Sequence, residues 1–321
     1  MEEDMMMLQK ILLPTDFGRS SEDALNWAVT LAKIFNSEII LVHVLPDDTN
    51  LEMAMDTMML RKTAHNHLKD IRKKIRRNWI KTADPIIVKG SPFDWIVQLA
   101  DSFDVNLILM GSGDKESEDK FKLGITANKV ARKSTKPVWV IKQGELSPIK
   151  KILCPVDFST PSFRALKNGI HLARRFEAEL MVLNIVEPLN EKLTGLDLEF
   201  AKAVEIISKI QHSHYPLFLK KFDFHNVNWS KESCRGEPFT EILKVISKQS
   251  SNLLVMGTTG KTERSKILIG SVTEKVIREV PCSFITMNSE DVIKLRIEKE
   301  IKGLESSLKH TTQILEHGFA K

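Results

Sequence analysis

At 321 residues and 42% hydrophobic content, the chain is long enough for about two domains and apolar enough to give each a core. No apolar run approaches the roughly 20 residues of a membrane span, so no membrane partner is expected. The net charge of +5 in a chain that is 28% charged is mild, so nucleic acid is not an expected partner.

The start, Met1-Glu2-Glu3-Asp4, lacks signal-peptide shape. The three cysteines, Cys154, Cys234 and Cys282, show no C-x-x-C spacing. Cys154 and Cys282 lie in strand-like runs and read as buried thiols rather than disulfide or zinc ligands. A reducing cytoplasm fits.

Along the chain, short apolar runs alternate with amphipathic stretches. Strands are predicted at 10–14, 38–45, 85–89, 106–110 and 138–141, then at 151–155, 179–186, 228–234, 252–256 and 283–287. The segment 50–80 is methionine-rich (Met53, Met55, Met58, Met59) and reads as ordinary helix core rather than a ligand cover. Its basic run, Arg72-Lys73-Lys74 with Arg76-Arg77, reads as the wet face of that helix rather than as a contact for nucleic acid or anionic lipid.

The second half repeats the first. Lys10-Ile11-Leu12-Leu13-Pro14-Thr15-Asp16-Phe17 recurs 141 residues later as Lys151-Ile152-Leu153-Cys154-Pro155-Val156-Asp157-Phe158. Gly90-Ser91-Pro92-Phe93 recurs as Gly236-Glu237-Pro238-Phe239, and 107–111 as 253–257, at an offset of 146. Ordered matches with one shift of register mean two copies of one domain. Continuous apolar strands separated by helices imply a parallel sheet covered on both faces, hence a doubly wound α/β domain. Its ligand crevice lies at the carboxyl ends of the strands, where the strand order reverses. The expected domains are 1–146 and 147–288, with a helical tail at 289–321.

Two signals converge on that crevice. Asp16 and Asp157 follow the first strand of each copy. Glycines follow the fourth: Gly257 and Gly260, then nine residues to Gly270-Ser271, where a helix-like run begins. Glycines let backbone N–H groups approach an anion, and a helix start adds its positive dipole end. Val255 stands where a P-loop needs its first glycine, so Gly260-Lys261-Thr262 is not one, and the G-x-G-x-x-G spacing is also missing.

Together the two P-x-D-F turns, the two G-[SE]-P-F turns and M-G-x-x-G-(nine)-G-[ST] resemble the universal stress protein family in its tandem form, over about residues 8–288. The resemblance implies a five-stranded parallel domain of strand order 3-2-1-4-5. It implies ATP in the crevice, with Mg2+ carried on the phosphates. It also implies a homodimer, or an intramolecular pseudo-dimer of the two copies, built across the last strand. Carried onto this sequence, Pro155, Val156 and Asp157 contact adenosine, with Asp157 on ribose or base polar atoms. Ile185 packs the adenine, Met256 and Gly257 line the ribose side, and Gly260, Gly270, Ser271 and Val272 take the phosphates. Lys261, Arg264 and Lys266 against Glu263 leave that loop at +2. The first copy departs: Asp114 replaces the second glycine, Ile125 replaces the hydroxyl residue, and the loop 114–122 sums to −1. It is expected to bind nucleotide poorly or not at all.

In the tail, Ile297, Ile301, Leu304, Leu308, Thr311 and Leu315 step by three and four, an amphipathic helix with a seam for the domains or a protein partner. The end, 315–321, reads as a frayed terminus or as the first turn of a helical repeat in a longer chain. No catalytic set stands out. His65 with His67, and His212 with His214, are spaced to fall on different sides of a helix, and no H-E-x-x-H or G-x-S-x-G occurs. The expectation is an ATP- or ADP-bound stress-response regulator with at most weak hydrolysis. Its alternatives are a slow ATPase or phosphotransferase, and a non-nucleotide interaction scaffold.

Overall fold

The computed structural model describes residues 8–47, 54–113, 123–144, 148–187, 215–258 and 269–288. The first repeat runs β1 (Lys10–Pro14), α1 (Arg19–Phe35), β2 (Glu38–Leu45), α2 (Ala54–Arg77), β3 (Ile86–Lys89), α3 (Pro92–Ser102), β4 (Leu107–Gly111), α4 (Ile125–Lys133) and β5 (Val138–Ile141). The second runs β6 (Lys151–Val156), α5 (Thr160–Phe176), β7 (Glu179–Val186), β8 (Trp229–Arg235), α6 (Pro238–Gln249), β9 (Leu253–Gly257), α7 (Ser271–Glu279) and β10 (Ser283–Met287), with helical residues 215–219 ahead of β8.

Local chemistry sets the helix ends. Ser159 caps α5, its hydroxyl accepting from Ser162 N at 3.3 Å, with Pro161 in the first turn. Asn36 and Glu177 close α1 and α5 in the left-handed conformation, at φ 55° and 52°. In α1, Ala24, Ala28, Leu31 and Ala32 repeat at helical spacing and are buried on the sheet.

Within each repeat the strands are parallel and ordered 3-2-1-4-5. The two sheets then join edge to edge. β5 pairs antiparallel with β10, giving one ten-stranded sheet, β3-β2-β1-β4-β5-β10-β9-β6-β7-β8. Strands buried on both faces feed two cores by simple alternation. Ile11 and Leu13 of β1 face the layer of α1, α2 and α5, whereas Leu12 faces the layer of α3, α4, α6 and α7. Both cores run through both repeats, so the junction is covered on each side.

Side chains seal the junction. Lys142 N donates to Ser283 Oγ at 3.0 Å and Asn288 Nδ2 to the Ser134 carbonyl at 2.5 Å. Arg132 pairs with Glu274 at 3.0 Å. Trp27 touches both Trp139 and Phe176, at 5.8 and 6.0 Å between centroids.

Two sequence expectations need correcting. Met58 and Met59 are 78% and 69% exposed, so they are not helix core; they stand on the outward side of α2, opposite Ala64, Leu68 and Ile75. β4 and β9 each run one residue further than expected, so Gly111 and Gly257 are strand residues rather than loop residues. The thiols behave as expected, with Cys154 and Cys282 buried and none of the three cysteines in a disulfide. The expected tail helix, Gly260, and residues 114–122 and 259–268 lie outside the described residues.

Candidate functional site

β6 lies between β7 and β9, and its connections leave to opposite faces of the sheet. That reversal opens a crevice at the strand ends. The first wall is the turn after β6. Phe158 takes φ 66°, and Asp157 stabilises the turn: its Oδ1 accepts from Ser159 N at 3.0 Å and from Ser159 Oγ at 2.5 Å. Asp157 thus builds the turn with one carboxylate oxygen. The other, Oδ2, has no hydrogen bond among the described residues. Below it, buried Asn184 of β7 donates from Nδ2 to the Val156 carbonyl at 3.0 Å and fixes the turn to the neighbouring strand.

The second wall is the end of β9. A Cβ on Gly257 would lie 2.7 Å from Pro161 Cβ and 2.8 Å from the Pro161 carbonyl carbon. Glycine is required here because the first turn of α5 packs against the strand. That physical reason differs from the one the sequence offered, room for an anion. Thr258 follows, buried, with its N–H on the Met287 carbonyl at 2.9 Å and its hydroxyl 3.2 Å from Asn288 Oδ1.

The start of α7 is held against this wall. Gly270 N donates to the Thr258 carbonyl at 2.5 Å, and Thr273 Oγ1 to the Gly257 carbonyl at 2.9 Å. Gly270 is the N-cap and supplies no side chain, so nothing of its own covers the positive end of the helix. Ser271 is exposed at the first helical position, and Val272 is half-buried.

Of the residues expected at the site, Pro155, Val156 and Asp157 end β6 or follow it, Ile185 is half-buried near the end of β7, and Met256 is buried at the end of β9. Gly257, Gly270, Ser271 and Val272 complete the described set; Gly260, Lys261, Arg264 and Lys266 fall outside it. Sequence reasoning missed Asn184, Thr273 and Pro161, which hold the walls together. The signal for Asn184 was available, because it stands at the offset-141 counterpart of His43.

The first repeat uses the same frame with different chemistry. Asp16 Oδ1 accepts from Gly18 N at 3.0 Å and Ser21 Oγ at 2.5 Å, and Phe17 takes φ 67°. His43 donates from Nδ1 to the Thr15 carbonyl at 2.7 Å. Its ring stacks on Phe17 at 4.4 Å and 29°, and His67 meets the same phenyl ring edge-on at 5.0 Å. Ser20 stands where the second repeat has Pro161, and its hydroxyl accepts from Gly113 N at 3.1 Å. Exposed Ile125 begins α4. Here the repeat's own side chains engage backbone donors at the strand end.

Under the second crevice, burial pushes the Cys154 thiol well above its ordinary range. Burial does the same to Tyr215, with a smaller contribution from Cys154, and the phenol donates to the Val182 carbonyl at 2.7 Å. No group of three His, Cys, Asp or Glu able to hold a metal occurs among the described residues.

The family model described as the universal stress protein family matches residues 7–142 and again 148–286. A universal stress protein of Methanocaldococcus jannaschii is 34% identical over 152 residues, 46% of this chain and 86% of the relative. The crystal structure of a universal stress protein from Archaeoglobus fulgidus is similar over 87% of this chain and 97% of its own, at 20% identity and a TM-score of 0.64, a likeness of fold. A universal stress protein solved in complex with cAMP is similar over 44% of this chain and 98% of its own, at 16% identity and a TM-score of 0.30.

Proposed function

The chain belongs to the universal stress protein family, and we propose that it is a cytoplasmic, nucleotide-dependent stress-response regulator that holds ATP in its second repeat only. One observation carries this reading. The start of α7, uncapped by any side chain, is hydrogen-bonded to the end of β9 through Gly270 N on the Thr258 carbonyl at 2.5 Å, and the first turn of α5, next to the Asp157 turn, packs on Gly257 at that same strand end. A carboxylate oxygen for hydroxyls, apolar Ile185 and Met256 for a base, and helix amides with Ser271 for phosphate are what an adenine nucleotide needs. Bound magnesium would neutralise phosphate charge, and it would arrive on the phosphates.

The first repeat is the silent partner. Ser20 takes up the Gly113 amide, His43 stacks on Phe17, and Ile125 replaces the hydroxyl. Its role is structural: it supplies β5 and completes within one chain the pairing that a homodimer would otherwise supply. Among the described residues no catalytic base is assigned at the crevice, and the reading is therefore of binding with at most weak turnover.

The test is to denature the purified protein and count the nucleotide released by chromatography, then titrate emptied protein with Mg·ATP by calorimetry. One adenine nucleotide per chain, lost in Gly260→Asp, is the expected result. Two per chain would overturn the asymmetry. None released and none taken up would leave a scaffold.

A further inference from the structure

The net positive charge of this protein is accounted for by one helix. Residues 54–77 hold eight basic and two acidic residues, so α2 alone carries +6 of a net +5 and the rest of the chain sums to −1. The corresponding segment of the second repeat, 191–222, has five basic and four acidic residues. The excess is therefore a property of this helix and not of the fold.

The geometry of α2 directs that charge outward. Ala64, Leu68 and Ile75 seat the helix on the sheet. Away from those residues Lys62, Lys69, Lys73, Arg76 and Arg77 are all exposed, with 69, 73 and 76 following at steps of four and three and 62 two turns before 69. Arg72 and Lys74, nearer the body, are tied down by Asp84 and Glu22, and Lys73 by Asp70. Arg61, Lys62, Lys69, Arg76, Arg77 and Lys81 have no ion pair among the described residues.

Apolar side chains bracket the cationic stripe. Met58, Met59 and Leu60, at one end, are 78%, 69% and 51% exposed. At the other, Trp79 is 96% exposed in a turn where its φ is 62°. A tryptophan bare of contacts has given up burial that would stabilise the fold. From Met58 to Arg77 the stripe is about 28 Å long at ~1.5 Å per residue.

We propose that the outward face of α2 is a docking surface for an anionic lipid bilayer, which the protein touches without crossing. Unpaired Lys and Arg in this number on one amphipathic helix match the charge of phosphatidylserine-type headgroups. Tryptophan favours the headgroup level, where its ring is buried and its N–H stays wet. The exposed Met58, Met59 and Leu60 favour lipid over nucleic acid, because they offer neither stacking planes nor phosphate contacts. No helix among the described residues is long and apolar enough to cross a membrane, which agrees with a surface contact.

The experiment is co-sedimentation of the full chain with phosphatidylcholine vesicles, with and without about one third phosphatidylserine. Binding only to the anionic vesicles is expected. It should weaken by at least about tenfold in Arg76→Glu/Arg77→Glu and fall steeply as salt shortens the Debye length below roughly 8 Å. Fluorescence quenching by brominated lipid should be lost in Trp79→Phe, a substitution at a site that packs against nothing. Circular dichroism melting of both variants separates a docking defect from misfolding. The proposal is overturned by no binding to anionic vesicles, by equal binding of the folded charge-reversal variant, or by binding to duplex DNA or RNA without binding to vesicles.

Discussion

Trp139 of β5 pairs with Ile285 of β10, which is its own counterpart in the second repeat at an offset of 146. On either side Val138 pairs with Thr286 and Val140 with Phe284, so each pairing is the exchange of the other. The junction is self-complementary in the way a symmetric dimer interface is, but it closes within one chain. Because the cores continue across it, the two repeats should unfold together. Trp139 is 2% exposed, and Trp139→Ala should cost about 3–5 kcal/mol. Trp139→Phe should cost less, since the indole N–H has no hydrogen-bond partner among the described residues and its removal leaves nothing unsatisfied. Urea unfolding followed by fluorescence and by circular dichroism should give one coincident transition; two separated transitions would refute the shared core.

The paired glycines at the strand ends separate packing from binding. Gly257→Ala places its methyl against Pro161, and Gly111→Ala places its methyl against the Ser20 backbone. Each should lose about 1–3 kcal/mol of stability by overpacking. Only Gly257→Ala should also weaken ATP uptake, because only the second crevice is assigned a nucleotide. Calorimetric titration of both variants checks this, and equal loss of affinity in both would count against the asymmetry.

Asn184 is a positioning residue, because it acts through the Val156 carbonyl rather than on the ligand. Asn184→Leu leaves that carbonyl without its side-chain donor, at a cost of about 1–3 kcal/mol. Nucleotide affinity should fall with it, and Asn184→His, the residue of the first repeat, should recover stability more than affinity. Unfolding and titration of the two variants, side by side, test the division.

The protein should lose stability in alkali by a route that spectroscopy can follow. Cys154 and Tyr215 ordinarily ionise near 9 and 10, and burial raises both in the folded state. The unfolded chain therefore releases these protons first. Their contribution is complete below pH about 9 and is lost progressively as the pH rises above it. Tyr215 is the only tyrosine, so tyrosinate absorbance reports one group. No rise is expected near pH 10 while the chain stays folded. A native-state titration at the ordinary value would show that the Tyr215–Val182 contact does not hold in solution.

Much of the molecule is local in origin and could be read directly. The strands 10–14, 38–45, 138–141, 179–186 and 283–287 coincide with their apolar runs, because residues buried on both faces leave an unbroken signal. The recurrence at offsets 141 and 146 determined that there are two copies, and the right-handed crossover rule then limits their topology. The turn aspartates and the glycines at the strand ends were visible for the same reason: their chemistry is fixed by the nearest few residues.

The rest is decided by contacts between residues far apart in the chain. That β5 finds β10, in a register placing Trp139 on Ile285, depends on two edges meeting, and no local pattern encodes a meeting. Gly257 was legible as a glycine that matters, but its reason, the first turn of α5 packed 2.7 Å from where a Cβ would sit, exists only in three dimensions. The methionines at 58 and 59 carry the composition of a core, and only the seating of α2 through Leu68 and Ile75 turns them to solvent. Periodicity gives the spacing of a helix's faces; which face is buried depends on what the helix packs against.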